Sequence, residues 1–150
     1  MLLNHIWSIK RTLSGIMKVF LGETCNDSKW RNELIPQLKM DYFNSVILNW
    51  NLKAQFNEMR KKDEVDFLLI VITPLMDGVY SVAEAVDSSN KSPEKTLLCI
   101  LKEDNGVKWT KTQYDSLKTF EKLVESNGAR VFNCLGEVLD FLNEKYCHIE

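Results

Sequence analysis

The six residues Phe67 to Ile72, FLLIVI, are an unbroken apolar run inside the stretch VDFLLIVITPLMDGVYSVAEAVD that spans Val65 to Asp87. A strand with one wet face alternates apolar and polar residues, whereas a strand covered on both faces of a parallel sheet reads as continuous Leu, Ile and Val. The run therefore demands helices above and below the sheet to which it belongs. Pro74 and Gly78 break the regular pattern, and Val79, Val82, Ala83 and Val86 then recur at helical spacing, giving strand, loop and helix in succession. Open α/β sheets bind ligands beyond the carboxyl ends of their strands, so Asp77, Tyr80 and Glu84 are expected near that edge.

The rest of the chain repeats the alternation. Val19 to Leu21 make a short strand ending at Gly22, and Glu23 to Ser28 lead into a helix that Asp27 or Ser28 can cap, with Trp30, Leu34 and Leu38 as its stripe and Pro36 as a kink or early end. Tyr42 to Leu48 read as a second strand, followed by a helix with the thin apolar face Leu52, Phe56 and Met59. Lys95 to Leu101 read as a fourth strand. A helix over Thr112 to Ser126 closes at Asn127 and Gly128. Ala129 to Phe132 supply a fifth strand, and Leu135, Val138, Leu139 and Leu142 give a final helix at i, i+3, i+4, i+7 spacing. Five strands alternating with helices predict a three-layer, flavodoxin-like (Rossmann-like) α/β fold with a five-stranded parallel sheet in the order 2-1-3-4-5.

At 150 residues and a net charge of -2, the chain suits one domain and carries no basic stripe that would select a nucleic-acid duplex. Small molecules and proteins remain as partners. Cys25, Cys99, Cys134 and Cys147 show no metal-ligand spacing, and His5 and His148 lie near opposite termini, so neither a metal nor another cofactor is implied. Cys99 sits in an apolar run and reads as a buried thiol, which suits a reducing, cytoplasmic setting. Residues 1–16 read as an extension to a domain over residues 17–150. Leu2, Ile6, Ile9, Leu13 and Ile16 mark one helical face there, too broken to span a membrane and with the basic pair Lys10 and Arg11 on the wrong side for a signal peptide. No firm membrane association is expected.

Two families share this layout. ITPLMDG superficially resembles the Met-Pro-x-Met-Asp-Gly turn of response-regulator receivers, but Ile70 stands where a phosphoacceptor aspartate belongs, leaving only a degenerate, receiver-like binding module on that side. The blocks KVFLGETCNDSKWRNELIP, DYFNSVILNWN, VDFLLIVITPLMDGVYSVAEAVDSSNKSPEKT and QYDSLKTF resemble, in order and over about Lys18 to Leu142, nucleoside 2-deoxyribosyltransferase-like proteins. The resemblance implies cleavage or exchange of the N-glycosidic bond of a (deoxy)nucleoside or nucleotide, a transferase or hydrolase of nucleotide metabolism, and a homo-oligomer. It also implies a glutamate nucleophile on the helix after the third strand, where Glu84 stands. An acid eight residues before the aspartate that opens the third strand, as in related nucleotide N-glycosidases, falls on Glu58, counting back from Asp66.

The residue chemistry agrees with that assignment. Breaking the bond between C1′ and a base nitrogen builds positive charge on the sugar, and a carboxylate can trap it as a covalent glycosyl-enzyme that water or another base then resolves with retention. Tyr80, one turn before Glu84 on the same helical face, can orient the carboxylate or touch the sugar. Gly22, Glu23 and Thr24 form a candidate cradle after the first strand, Asn49 and Trp50 can read and stack a base, and Asp77 and Gly78 lie before the helix, where Asp77 also serves as a helix cap. Glu23 replaces the glycine usual in the family and would repel a 5′-phosphate, which favours a nucleoside or a ligand-binding paralogue without turnover. Ser45 and the Leu48-Asn49 pair depart from the family's base-recognition segment, and Arg31 reads as a solvated helix arginine. Cleavage of NAD or a nucleotide-derived signal, and a non-catalytic nucleotide-sensing module, are the alternatives.

Overall fold

The computed structural model describes residues 16–22, 27–45 and 52–147, without the side chains of Leu52, Ala54, Gln55, Phe56 and Glu58. The strands are β1 (Lys18–Gly22), β2 (Asp41–Asn44), β3 (Phe67–Ile72), β4 (Thr96–Ile100), β5 (Glu103–Asp104), β6 (Val107–Lys108) and β7 (Arg130–Phe132). The helices are α1 (Trp30–Leu34), α2 (Leu52–Glu64), α3 (Tyr80–Lys91), α4 (Lys111–Ser126) and α5 (Leu135–Cys147). Five strands pair in parallel in the order β2-β1-β3-β4-β7, the flavodoxin-like arrangement, with β3 at the centre. All six residues of β3 and all five of β4 are buried, as the apolar runs require.

Successive side chains of a strand point to opposite faces, so the period-2 alternation sorts the core into two halves. Val19, Leu21, Leu69, Val71, Leu97 and Cys99 pack with Trp30 and Leu34 of α1 and Val138, Leu139 and Leu142 of α5. Phe20, Leu68, Ile70, Ile72, Leu98 and Ile100 face Ala85 of α3 and Val124 of α4. Lys62 of α2 lies over the Phe20 ring at 5.3 Å and Lys61 over Phe43 at 6.0 Å, which puts α2 beside α3 on that second face.

Several local expectations change. α1 begins at Trp30 behind an N-cap Lys29 that makes no side-chain bond, and the Ser28 hydroxyl, one residue earlier, accepts from the Trp30 amide at 3.5 Å. The same hydroxyl donates to Asp104 on the β5–β6 hairpin. Pro36 sits in a 3-10 turn, Ile35–Gln37, and so ends α1 early. Arg31 is buried: it stacks on Trp30 at 4.5 Å and donates to the Leu21 carbonyl at 3.1 Å and the Ser45 hydroxyl at 3.4 Å, tying α1 to the ends of β1 and β2. Met59 is 65% exposed and faces away from the core that its helix was expected to cover. The buried stripe of α3 is Ser81, Ala85 and Ser89, while Val79 and Ala83 are exposed and Val82 and Val86 are half-buried. The Ser89 hydroxyl donates to the Val86 carbonyl and receives the Asn127 amide, so this small polar side chain is satisfied inside the helix contact.

The β5–β6 hairpin was not anticipated. Its turn places Asn105 at φ 49° and Gly106 at φ 78°, the pair of left-handed conformations a tight hairpin needs and an Asn-Gly dipeptide supplies. α4 starts in a full capping box: the Thr110 hydroxyl accepts from the Gln113 amide, and the Gln113 side chain accepts from the Thr110 amide. Gly128, at φ 100°, turns the chain out of α4 into β7.

Candidate active site

Glu84 lies in the second turn of α3, on the side that faces α2. Its carboxylate is paired with the Lys62 ammonium, and both side chains are recessed, 9% and 18% exposed. The pair stands in the wall of a cleft of about 400 Å³ between α2 and α3. Met59, Lys62 and Asp63 line it from α2, Tyr80, Ala83 and Asp87 from α3, and Leu68 from the sheet.

Tyr80 and Glu84 thus share the cleft, as their spacing of four residues predicts. Tyr80 is the first residue of α3 and is 67% exposed, leaving its ring and hydroxyl open to solvent and to any occupant. The floor nearest the amino ends of β3 and β4 is organised by Lys95. Its ammonium donates to the carbonyls of Lys62 at 2.8 Å and Val65 at 3.2 Å, capping the carboxyl end of α2. Burial pushes the Lys95 pKa below its ordinary value, against the pull of Asp63, Glu94 and Asp66. Asp87 and Lys91 form an i, i+4 pair at 2.8 Å on the open rim.

The carboxyl edge is built differently. Gly22, at the end of β1 beside Ile70, is closely walled: a Cβ there would stand 3.3 Å from the Phe20 ring and 3.5 Å from the Leu69 carbonyl oxygen, so a larger residue would crowd the ring. Thr73, fully buried, starts the turn after β3: its hydroxyl accepts from the Leu75 amide at 3.0 Å and its carbonyl from the Met76 amide at 3.1 Å. Asp77 and Gly78 follow on this loop and do not line the cleft. Asp77 is exposed and does not cap α3, whose N-cap is Val79 with no side-chain bond. Glu23, Thr24, Asn49 and Trp50, and the side chain of Glu58, lie outside the described residues.

Of the predicted site residues, the cleft gathers Glu84 and Tyr80, but it runs between α2 and α3 toward the amino ends of β3 and β4, so Glu84 does not stand at the carboxyl edge where it was expected. Lys62 and Lys95 are the partners that sequence inspection missed. Lys62 is one cation among several on a charged helix, and only the packing of α2 against α3 singles it out. Among the described residues, no group of three His, Cys, Asp or Glu side chains could hold a metal ion, and no helix is long and apolar enough to cross a membrane. A carboxylate set back in a solvent-connected cleft, with a phenol one turn away and an ammonium against it, can act as a nucleophile or serve as an interhelical ion pair. Comparison with known family models, characterised proteins and solved structures gives no match to this chain.

Proposed function

We propose that the chain cleaves or exchanges the N-glycosidic bond of a (deoxy)nucleoside through a covalent glycosyl-Glu84 intermediate. The observation that carries this is the placement of Glu84: a recessed carboxylate in a cleft of about 400 Å³, within the usual range for small-molecule sites, with Tyr80 beside it. Glu84 attacks C1′ from the face opposite the base, and the C1′–N electron pair leaves with the base nitrogen. Water or a second base then attacks C1′, and two inversions give retention. The Tyr80 hydroxyl steers the carboxylate or a sugar hydroxyl. Self-association and a cytoplasmic setting belong to the same proposal.

A panel of nucleosides, nucleotides and dinucleotides, each with and without an acceptor base, tests it against Glu84→Gln. Turnover by the native chain that the substitution abolishes supports the assignment. Base exchange identifies a transferase, free sugar a hydrolase, and release of nicotinamide from NAD a dinucleotide glycohydrolase. Turnover undiminished in Glu84→Gln removes Glu84 from the chemistry. The pairing of Glu84 with Lys62 favours a second assignment, a non-catalytic nucleotide-sensing module in which the pair clamps α2 to α3. Binding by calorimetry without turnover identifies that case.

A further inference from the structure

We infer that Lys62 is a positioning residue that sets how long the glycosyl-Glu84 intermediate survives. The inference rests on the proposed function. Its basis is the contact between the Lys62 ammonium and the Glu84 carboxylate inside the cleft wall, with both side chains largely withdrawn from water. Lys62 is held there from two further sides. Its ammonium lies 5.3 Å from the centre of the Phe20 ring, and its own carbonyl accepts the Lys95 ammonium at 2.8 Å.

The charge on Glu84 changes sign of importance between the two steps. In the first step the carboxylate forms its bond to C1′ as the C1′–N bond breaks, the electron pair departs on the base nitrogen, and solvent supplies the proton that neutralises the base. The carboxylate charge vanishes into an ester, so its attraction to the ammonium is lost as the bond forms, and that attraction opposes attack. In the second step water, or an acceptor base, bonds to C1′, the C1′–O bond breaks, and the pair returns to the Glu84 oxygen while the incoming nucleophile sheds its proton to solvent. The carboxylate charge now reappears against a fixed ammonium, which stabilises the transition state for release. Lys62 therefore favours resolution of the ester over its formation. An in-line displacement places the base on the side of C1′ opposite Glu84, so an ammonium bound to Glu84 acts through the carboxylate and not on the leaving nitrogen.

Rapid-quench kinetics on native protein, Lys62→Gln and Lys62→Arg, with intact-mass measurement of the quenched protein, test this. Lys62→Gln is expected to keep a first-turnover burst of released base and to resolve the ester about ten- to a hundredfold more slowly, the worth of one charge-assisted contact. Glycosylated protein then accumulates and KM falls together with kcat. Lys62→Arg, which keeps the charge, is expected to return the native ratio of the two rates. A purely interhelical clamp would shrink the burst amplitude and the apparent kcat in equal proportion through loss of folded protein, leaving both rate constants unchanged and no ester accumulating, and that result overturns the inference, as does accumulation in Lys62→Arg equal to that in Lys62→Gln. Should Lys62→Gln fail to fold, an accumulation in Lys62→Arg above the native level still overturns it. Native turnover abolished by Glu84→Gln, combined with either overturning result, leaves the proposed function standing while Lys62 loses its role. Absence of native turnover on every nucleoside removes both.

Discussion

Replacing Glu84 by glutamine leaves the shape of the cleft wall unchanged and strips one charge from a recessed pair. Fully exposed ion pairs are worth about 0.2–1 kcal/mol, and breaking a fully buried one is destabilising by about 3–5 kcal/mol because the surviving charge stays stranded. With side chains 9% and 18% exposed, this pair lies between those limits, so Glu84→Gln should destabilise the fold by about 2 kcal/mol. For a chain of 150 residues that lowers Tm by about 4–8 °C. α3 supplies its own control in the Asp87–Lys91 pair, whose side chains are 61% and 72% exposed, and Asp87→Asn should change stability by less than about 0.5 kcal/mol. Urea unfolding of native protein, Glu84→Gln, Lys62→Met and the double variant gives the coupling between the two residues directly. About 1–2 kcal/mol is expected. A coupling under about 0.3 kcal/mol, or an equal loss in Asp87→Asn, refutes the view of Lys62 and Glu84 as a recessed, interacting pair.

Burial pushes the Cys99 thiol from its ordinary value of 9.0 up to about 12, so in the native state its peptide should resist alkylation at pH 8 while those of the exposed Cys134 and Cys147 react. Because the folded pKa is raised, the associated stability is intact below pH 9 and is lost as pH climbs toward 12, where the unfolded thiol ionises and the folded one does not. Native protein should lose up to about 1.4 kcal/mol per pH unit more than Cys99→Ala over that window, and equal slopes in urea titrations would rule this out. Thr110→Ala removes the hydroxyl half of the α4 capping box and should lower stability by about 1 kcal/mol; an unchanged urea midpoint would show that the box contributes nothing.

The sheet was legible because its signals are local. β3 is apolar at every position, so the length of the run fixed its bounds, and alternation with helices implied a parallel sheet, for which the flavodoxin-like order was the choice that the structure bears out. The face of α3 was misread because Ser81 and Ser89 are buried where a hydrophobic stripe predicts Val79 and Ala83. Close helix packing selects small side chains there, and serine passes once its hydroxyl is satisfied. Arg31 was misread for a related reason: its charge suggests solvent, yet Trp30, Leu21 and Ser45 together supply a ring face and two acceptors, and no spacing rule joins them. The hairpin was legible in Asn105-Gly106 and went unread beside the strong strand before it. Glu84 was singled out by the resemblance and Tyr80 by its spacing of four residues on the same helix, a relation internal to one element that the shared cleft reflects. Lys62 belongs to another helix, and its meeting with Glu84 depends on a crossover over β1 that sequence leaves unmeasured.

The contact of Lys95 with the end of α2 also bears on the order in which the molecule assembles. α2 is made before β3, yet the side chain that caps its last turn arrives 33 residues after Lys62, on the turn that leads into β4. As the chain leaves the ribosome, α2 can wind and β3 can pair with β1 while the carbonyls of Lys62 and Val65 still face water. Only the turn that leads into β4 brings the ammonium that occupies them, so the floor of the cleft is complete only when the fourth sheet strand is in place.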